Sequence, residues 1–156
     1  MPLSFTWLGH STFLFRSPGG KRVLVDPWVA TNPACPESAR KVGPVDLILV
    51  THGHADHTAD AVTIGRATGA EVVAPYELAA WFQQKGLKAV TGMNVGGTIR
   101  AHGLSVTMVP AVHSSSVEED GRILYAGPAT GYVVRFEDGL TMYFAGDTAV
   151  FIVRPD

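Results

Sequence analysis

The chain has 156 residues, of which 46% are hydrophobic and 17% are charged, and its formal net charge at pH 7 is −2. A chain of this length and composition can bury a substantial core, which excludes a disordered protein and predicts one globular domain over residues 1–156. The slightly acidic charge disfavours proteins that bind the phosphate backbone, so no nucleic-acid partner is expected.

The N-terminal and cysteine patterns predict where the protein resides. The opening MPLSFTWLGHSTFLF lacks the cationic start of a secretion signal and is interrupted by His10. No apolar run approaches the length of a membrane span, and the single cysteine, Cys35, has no partner for an intrachain disulfide. We therefore expect a cytoplasmic protein without a membrane association. Cys35 lies in a proline-rich stretch and is interpreted as a loop residue rather than a nucleophile.

The first half of the chain begins with three short runs that favour strands, SFTWL, STFLF and KRVLVD, separated by turn residues and predicted to form a meander. A loop with four prolines follows from Pro27 to Pro44. The run VDLILV, residues 45–50, is apolar almost throughout. This pattern predicts a central strand that is buried on both faces.

Two helices are predicted next. The segment TADAVTIGRATGA has apolar residues at helical spacing, with Thr58 as the N-cap and Gly69 just past the end. A strand, EVVA, separates it from a second helix that begins near Pro75 and stops at Gly86. The alternation of strand and helix predicts helices packed on a sheet.

The remaining chain returns to strands. GTIRA and LSVTMVPA flank the turn at His102 and Gly103, and GYVVRF and LTMYFAGD flank Asp138 and Gly139, which predicts a type I′ hairpin. The segment from Ser114 to Gly131 is interpreted as a loop. Sheet, helices and sheet in this order predict a layered α/β sandwich.

The stretch THGHADHTAD, residues 51–60, contains three of the six histidines and two aspartates directly behind the predicted buried strand. Residues two apart in an extended segment project to the same side, so His52 and His54 can reach one ion. Asp56 and His57 follow at the start of the next helix. Imidazole and carboxylate groups are ligands of zinc and also suit iron or manganese, so the motif predicts two adjacent ligand pairs.

Two further ligands are predicted at matching positions. His113 follows the strand LSVTMVPAV, and Asp147 follows LTMYFAG. Sites in open α/β sheets gather outside the carboxyl ends of strands, where the first cluster also lies. One carboxylate can use both oxygens to bridge two ions, which suits Asp147.

The elements VTHGHADHT, VPAVHSSS and YFAGDT, in this order, resemble the metallo-β-lactamase fold superfamily. WLGHSTFLF, VLVDPW and AGDTAVF look most like its metal-dependent hydrolase branch, which contains the UPF0173-like proteins and the relatives of ascorbate-6-phosphate lactonase. The resemblance covers nearly the whole chain and implies a metallo-β-lactamase-like αββα sandwich, with a sandwich that is incomplete at its C-terminal end as the alternative.

The resemblance also implies roles for individual residues. The first ion would be held by His52, His54 and His113; the second would be held by Asp56 and His57, with Asp147 as the bridge. Asp56 would also orient the bridging hydroxide. His10, in the first hairpin turn, would lie near the site as a ligand or substrate contact, or be a turn residue with a satisfied hydrogen bond.

Residues around these ligands receive supporting or structural roles. We expect Asp26 to accept hydrogen bonds near the cluster, and His102 to be a turn residue. The run Ser114, Ser115 and Ser116 is interpreted as polar loop residues, with support of the metal ligands as an alternative role, rather than as nucleophiles, because no Gly-x-Ser-x-Gly elbow is present in the sequence.

The predicted function is a metal-dependent hydrolase with two divalent ions, zinc first and manganese or iron as alternatives. A metal-bound hydroxide would cleave an ester, lactone or phosphoester bond of a small molecule. A phosphodiesterase is the nearest enzymatic alternative. A metal-binding protein with impaired catalysis, truncated or sensor-like, is the alternative of a different class, because family members continue beyond Gly-Asp-Thr and add a histidine to the second ion, whereas this chain has none after His113. A homo-oligomer is left open.

Overall fold

Residues 1–151 are described by the computed structural model and contain two large sheets. The first sheet has six strands in chain order, with antiparallel pairing among the first three and parallel pairing from the third to the sixth. Its strands are β1 Ser4–Trp7, β2 Phe13–Arg16, β3 Arg22–Val25, β4 Leu47–Leu49, β5 Glu71–Pro75 and β6 Val90–Met93. The predicted meander and central strand are confirmed.

The second sheet has four antiparallel strands, which lie in the order β12 Thr141–Phe144, β11 Thr130–Arg135, β8 Leu104–Pro110 and β7 Thr98–Ala101. Between β8 and β11 the chain forms a separate two-stranded hairpin inside the segment that was predicted to be a loop. The strands of this hairpin are β9 Ser116–Glu119 and β10 Arg122–Tyr125.

The helices are α1 Ala55–Thr58, α2 Ala61–Thr68 and α3 Tyr76–Gln84, and a 3₁₀ turn spans Glu37–Ala39. The prediction of one helix capped by Thr58 is wrong, because Thr58 ends α1 and donates its hydroxyl to the His54 carbonyl at 3.0 Å. Asp60 precedes α2 without capping it, since its carboxylate accepts the backbone N–H groups of Val29 and Ala30 at 2.7 and 2.9 Å. Gly69 ends α2 in the left-handed region at φ 70°, as predicted.

Alternate residues of the central strand face opposite layers. Leu47 and Leu49 pack in a core with the second sheet, whereas Ile48 and Val50 pack in a core with α2 and α3. All four side chains are buried, which explains the continuous apolar run. Outward-facing residues of the second sheet are partly or fully exposed, and Arg135 is among the exposed ones.

The turn at Asp138 and Gly139 is not the type I′ turn predicted from the sequence. Asp138 lacks the positive φ that a type I′ turn needs; only Gly139 has one, at φ 89°, and its N–H donates to the Phe136 carbonyl at 3.0 Å. This loop is therefore a wider turn with one left-handed glycine. Both central residues have positive φ at His102–Gly103 and at Asp120–Gly121, where the turns join β7 to β8 and β9 to β10.

Cys35 lies in the long proline-rich loop, as predicted, but its side chain is buried in the core beside the helices. Burial raises the pKa of the Cys35 thiol, so the thiolate form is disfavoured. Among residues 1–151, no helix is long and apolar enough to cross a membrane.

Candidate metal centre

Histidine and aspartate side chains from four separate segments converge at one end of the first sheet. His52 follows β4, His113 follows β8 and Asp147 follows β12, while His10 lies in the turn between β1 and β2. The structure brings all six sequence-predicted metal ligands together, and it places His10 among them. The seven residues are His10, His52, His54, Asp56, His57, His113 and Asp147.

The first group of donors consists of His52, His54 and His113, each offering one ring nitrogen within 4.8 Å of the others. His52 Nε2 lies 3.1 Å from His54 Nδ1. His52 is fully buried at the end of the central strand, whereas His54 and His113 are more accessible. The group therefore has one fixed inner imidazole and two at its rim.

The second group consists of His10, Asp56 and His57. His10 Nε2 lies 3.1 Å from Asp56 Oδ2 and 3.2 Å from His57 Nε2. The turn that carries His10 is left-handed at both Gly9 and His10, with φ 97° and 50°. Trp7 Nε1 donates to the His10 carbonyl at 2.8 Å, which fixes this unusual backbone conformation.

Asp147 lies between the two groups. Its Oδ1 is 3.5 Å from His57 Nε2, and its Oδ2 is 3.8 Å from His113 Nε2. His52, His57 and Asp147 also form a third set of donors within 4.8 Å of one another. One carboxylate thus presents one oxygen to each group, which is the arrangement that a bridging ligand requires.

Asp26 supports the second group from behind. Its Oδ2 lies 2.8 Å from His57 Nδ1, and the same carboxylate accepts the backbone N–H and the hydroxyl of Thr51, each at 2.8 Å. Asp26 has φ 45°, a left-handed conformation that these three bonds hold in place. When His57 donates from Nδ1, its Nε2 lone pair points toward the centre, so Asp26 orients the ring as expected from the sequence.

The two buried histidines are shifted in opposite directions. Burial, reinforced by the neighbouring imidazoles, lowers the pKa of His52 to about 3, so His52 is neutral and offers a lone pair near pH 7. Burial by itself also lowers the pKa of His57, but the hydrogen bond and charge of Asp26, followed by the charges of Asp147 and Asp56, raise that pKa overall. The carboxylates thus favour positive charge beside His57.

The donor set fits divalent cations. Ring nitrogens of separate histidines approach each other to 3.1 and 3.2 Å, and three aspartates surround them. A cation between such groups satisfies the lone pairs and the carboxylate charges together. Imidazole with carboxylate suits zinc, iron and manganese. These histidine and aspartate groups are therefore able to bind metal.

The supporting structure includes one residue that sequence reasoning missed, Thr51. Thr51 bridges Asp26 to the centre, because its hydroxyl lies 2.8 Å from Asp26 Oδ2 and 3.0 Å from His52 Nδ1. Ser114 Oγ lies 3.4 Å from His54 Nε2, at the edge of the first group. His102, interpreted as a turn residue, lies outside these groups and contacts Glu71 at 3.3 Å. A threonine next to a ligand histidine was the one available indication of the Thr51 contact.

Comparison with known families identifies the class of protein. Residues 21–154 match the model of the beta-lactamase superfamily domain, and the chain belongs to that family. The chain is 48% identical over 149 residues to a UPF0173 metal-dependent hydrolase of Koribacter versatilis, covering 96% of this chain and 64% of the relative. A UPF0173 metal-dependent hydrolase of Methanopyrus kandleri is 48% identical over 148 residues, covering 95% and 63%. The chain thus spans somewhat less than two thirds of these relatives.

Solved structures show the same fold. Igni18, a metallo hydrolase from Ignicoccus hospitalis, superposes with a TM-score of 0.80 and 35% identity over 96% of this chain and 62% of its own. CmlA, a diiron beta-hydroxylase from Streptomyces venezuelae, superposes with a TM-score of 0.69 at 21% identity over 93% of this chain and 30% of its own. The predicted metallo-β-lactamase fold and the predicted UPF0173-like branch are confirmed.

Proposed function

We propose that this chain carries the metal centre of a hydrolase that cleaves an ester, lactone or phosphoester bond of a small molecule. The observation that carries the proposal is the convergence of five histidines and two aspartates into overlapping donor groups. The names of the relatives, UPF0173 metal-dependent hydrolases, support the reaction class.

Each group would hold one divalent ion, with zinc as the first candidate. His52, His54 and His113 would bind the first ion, and Asp56 and His57 would bind the second. Asp147 would bridge the two, because its oxygens face His113 and His57 separately. The short contacts of His10 with Asp56 and His57 support a role for His10 as a further donor to the second ion.

A bound pair of divalent cations supplies an activated water near neutral pH and stabilises negative charge that develops on the substrate. The protein groups provide orientation and proton transfer. The side chain of Asp56 is 43% exposed, so its carboxylate can accept a hydrogen bond from an attacking water and remove its proton. As the alternative to binding the ion, His10, with a side chain 37% exposed beside Asp56, can contact the substrate or receive that proton.

The supporting residues keep these groups in place. Asp26 holds the His57 ring through Nδ1, and Thr51 ties Asp26 to the His52 side of the centre. Both supporting side chains are buried, so they act by positioning rather than by contact with the substrate.

The test is hydrolysis by the purified chain, freed of metal and then reconstituted with zinc, manganese or iron. The substrate panel contains sugar lactones, p-nitrophenyl esters, phosphomonoesters and bis-p-nitrophenyl phosphate. We expect metal-dependent turnover of at least one class, with loss of activity in His54→Ala and retained activity in His102→Ala. A reconstituted chain that binds both ions and hydrolyses none of these classes would contradict the proposal and favour a metal-binding protein without turnover.

A further inference from the structure

The β9–β10 hairpin packs against the ligand turn between His52 and His54. Ser115, at the base of this hairpin, is only 7% exposed. Its hydroxyl accepts the backbone N–H of Gly53 at 3.1 Å and donates to the Ala126 carbonyl at 3.4 Å. The Ala126 N–H in turn donates to the Ser115 carbonyl at 3.3 Å. One hydroxyl therefore connects the hairpin to the backbone unit between two candidate ligands.

The packing at Gly53 leaves no room for a side chain. A Cβ built on Gly53 would lie 2.6 Å from the Ala126 Cβ and 2.8 Å from the Ser116 carbonyl oxygen. Both contacting atoms belong either to the backbone or to a short alanine side chain, which cannot rotate away. The turn between His52 and His54 therefore packs directly against the base of the hairpin, and its position depends on this contact.

The same hydroxyl joins two ligand segments. Ser115 lies two residues after His113, and Gly53 lies between His52 and His54, so their hydrogen bond links the segments that supply all three donors of the first group. Gly53 is buried, so its N–H has no access to water as a substitute partner. Removal of the hydroxyl leaves that donor unsatisfied, and any backbone movement that relieves it displaces both flanking histidines.

We propose that Ser115 is a positioning residue that presets the three imidazoles of the first ion site. The inference rests on the proposed metal centre and extends it to a residue that reaches the ion through the backbone alone. Loss of a supporting hydrogen bond of this kind typically weakens metal binding about 10–100-fold. The expected consequence is a lower affinity for the first ion, with the ligands themselves unchanged.

The experiment compares three serine variants of the full chain. Zinc affinity is measured by competition with a chromophoric chelator, and the cobalt form is examined by visible absorption. We expect Ser115→Ala to bind the first zinc about tenfold more weakly or worse, with an altered cobalt spectrum. Ser115→Thr, which keeps a hydroxyl, should recover most of the affinity, and Ser105→Ala, on the second sheet away from the centre, should match the wild type. Wild-type affinity and spectrum in Ser115→Ala would overturn the inference.

A variant of Gly53 tests independently whether packing against the hairpin positions the ligand turn. It also keeps the inference testable if Ser115→Ala does not fold. Gly53→Ala keeps the Ser115 hydroxyl but forces the turn away from Ala126 and Ser116, so the first zinc should again bind more weakly. Undiminished affinity in folded Gly53→Ala would contradict the inference. A wild-type chain that binds zinc without hydrolysing any substrate would remove only the proposed activity, because these measurements concern metal binding alone.

Discussion

Asp26 Oδ2 and His57 Nδ1 lie 2.8 Å apart, with side chains that are 1% and 0% exposed. The contact lies behind the candidate centre, on the side of His57 opposite to the nitrogen that faces His10 and Asp147. A carboxylate in this position fixes both the ring plane and the tautomer of the histidine. The orientation of His57 is therefore determined before any ion binds.

This contact predicts a selective effect of Asp26→Asn. The asparagine amide accepts a weaker hydrogen bond from His57 Nδ1–H than the aspartate carboxylate does. Affinity for the second ion should therefore fall about 10–100-fold while the first ion is retained. Isothermal titration with zinc resolves the two sites. Asp120→Asn is a matched control, because Asp120 also has a left-handed backbone at φ 51°, close to the 45° of Asp26. An equal loss of zinc affinity at both sites, or no loss at either site, would count against this role of Asp26.

His10 should contribute to the second site. Asparagine tolerates the left-handed backbone of this turn, so His10→Asn removes the imidazole without adding backbone strain. We expect weaker binding of the second ion by at least about tenfold, with little change in the melting temperature of the metal-free chain. His102→Asn, at φ 51° in a remote turn, is the control. If His10→Asn binds two ions as tightly as the control, His10 is not a ligand.

Asp147 should affect both ions. Its two oxygens face His57 and His113 separately, so Asp147→Asn removes the shared negative charge and one of the two oxygen contacts. We expect both zinc affinities to fall, in contrast to the single-site effect of Asp26→Asn. Equilibrium dialysis at several zinc concentrations, with Asp138→Asn in an exposed turn as the control, checks this pattern. Loss at only one site would contradict the bridging role.

The buried neutral state of His52 predicts an acid-sensitive fold in the metal-free protein. Its pKa is about 3 in the folded chain and about 6.5 when unfolded. Below pH 6.5 the unfolded state binds a proton that folded His52 does not, so the free energy of unfolding falls as the pH decreases toward 3. The slope approaches about 1.4 kcal/mol per pH unit for this one group.

The shifted pKa values of His57 and Asp46 do not cause a similar loss of folding stability between pH 6.5 and 5. The pKa of His57 is raised, so its stabilising contribution is fully present below the unfolded value and is lost only as the pH rises. The lowered pKa of Asp46 matters only near and below its usual value of about 4. Urea unfolding across this window should show a smaller pH slope in His52→Gln than in the wild type; equal slopes would refute the assignment.

The layered fold and the main ligands were predictable because both depend on local patterns. Residues 47–50 form a continuous apolar run, which identifies a strand covered on both faces, and the histidines that follow must lie at its carboxyl end. His113 and Asp147 likewise follow the carboxyl ends of predicted strands. The three segments that carry candidate ligands could therefore be assigned to one edge of the layered sheets from the sequence alone.

Other features depend on tertiary contacts that no local pattern encodes. The helix expected at Thr58 breaks because the Asp60 carboxylate bonds the backbone of the proline-rich loop, which is 30 residues away in sequence. The β9–β10 hairpin was missed although Asp120–Gly121 is a strong turn pair. The Ser115 contact with Gly53 spans 62 residues and could be seen only in the folded chain.

The metal content of the chain tests the proposed metal centre directly, and it is measured by elemental mass spectrometry after saturation with zinc and removal of unbound metal. We expect about two zinc ions per chain and loss of the first-site ion in His54→Ala. A saturated wild-type chain that retains no zinc would contradict the proposed metal centre.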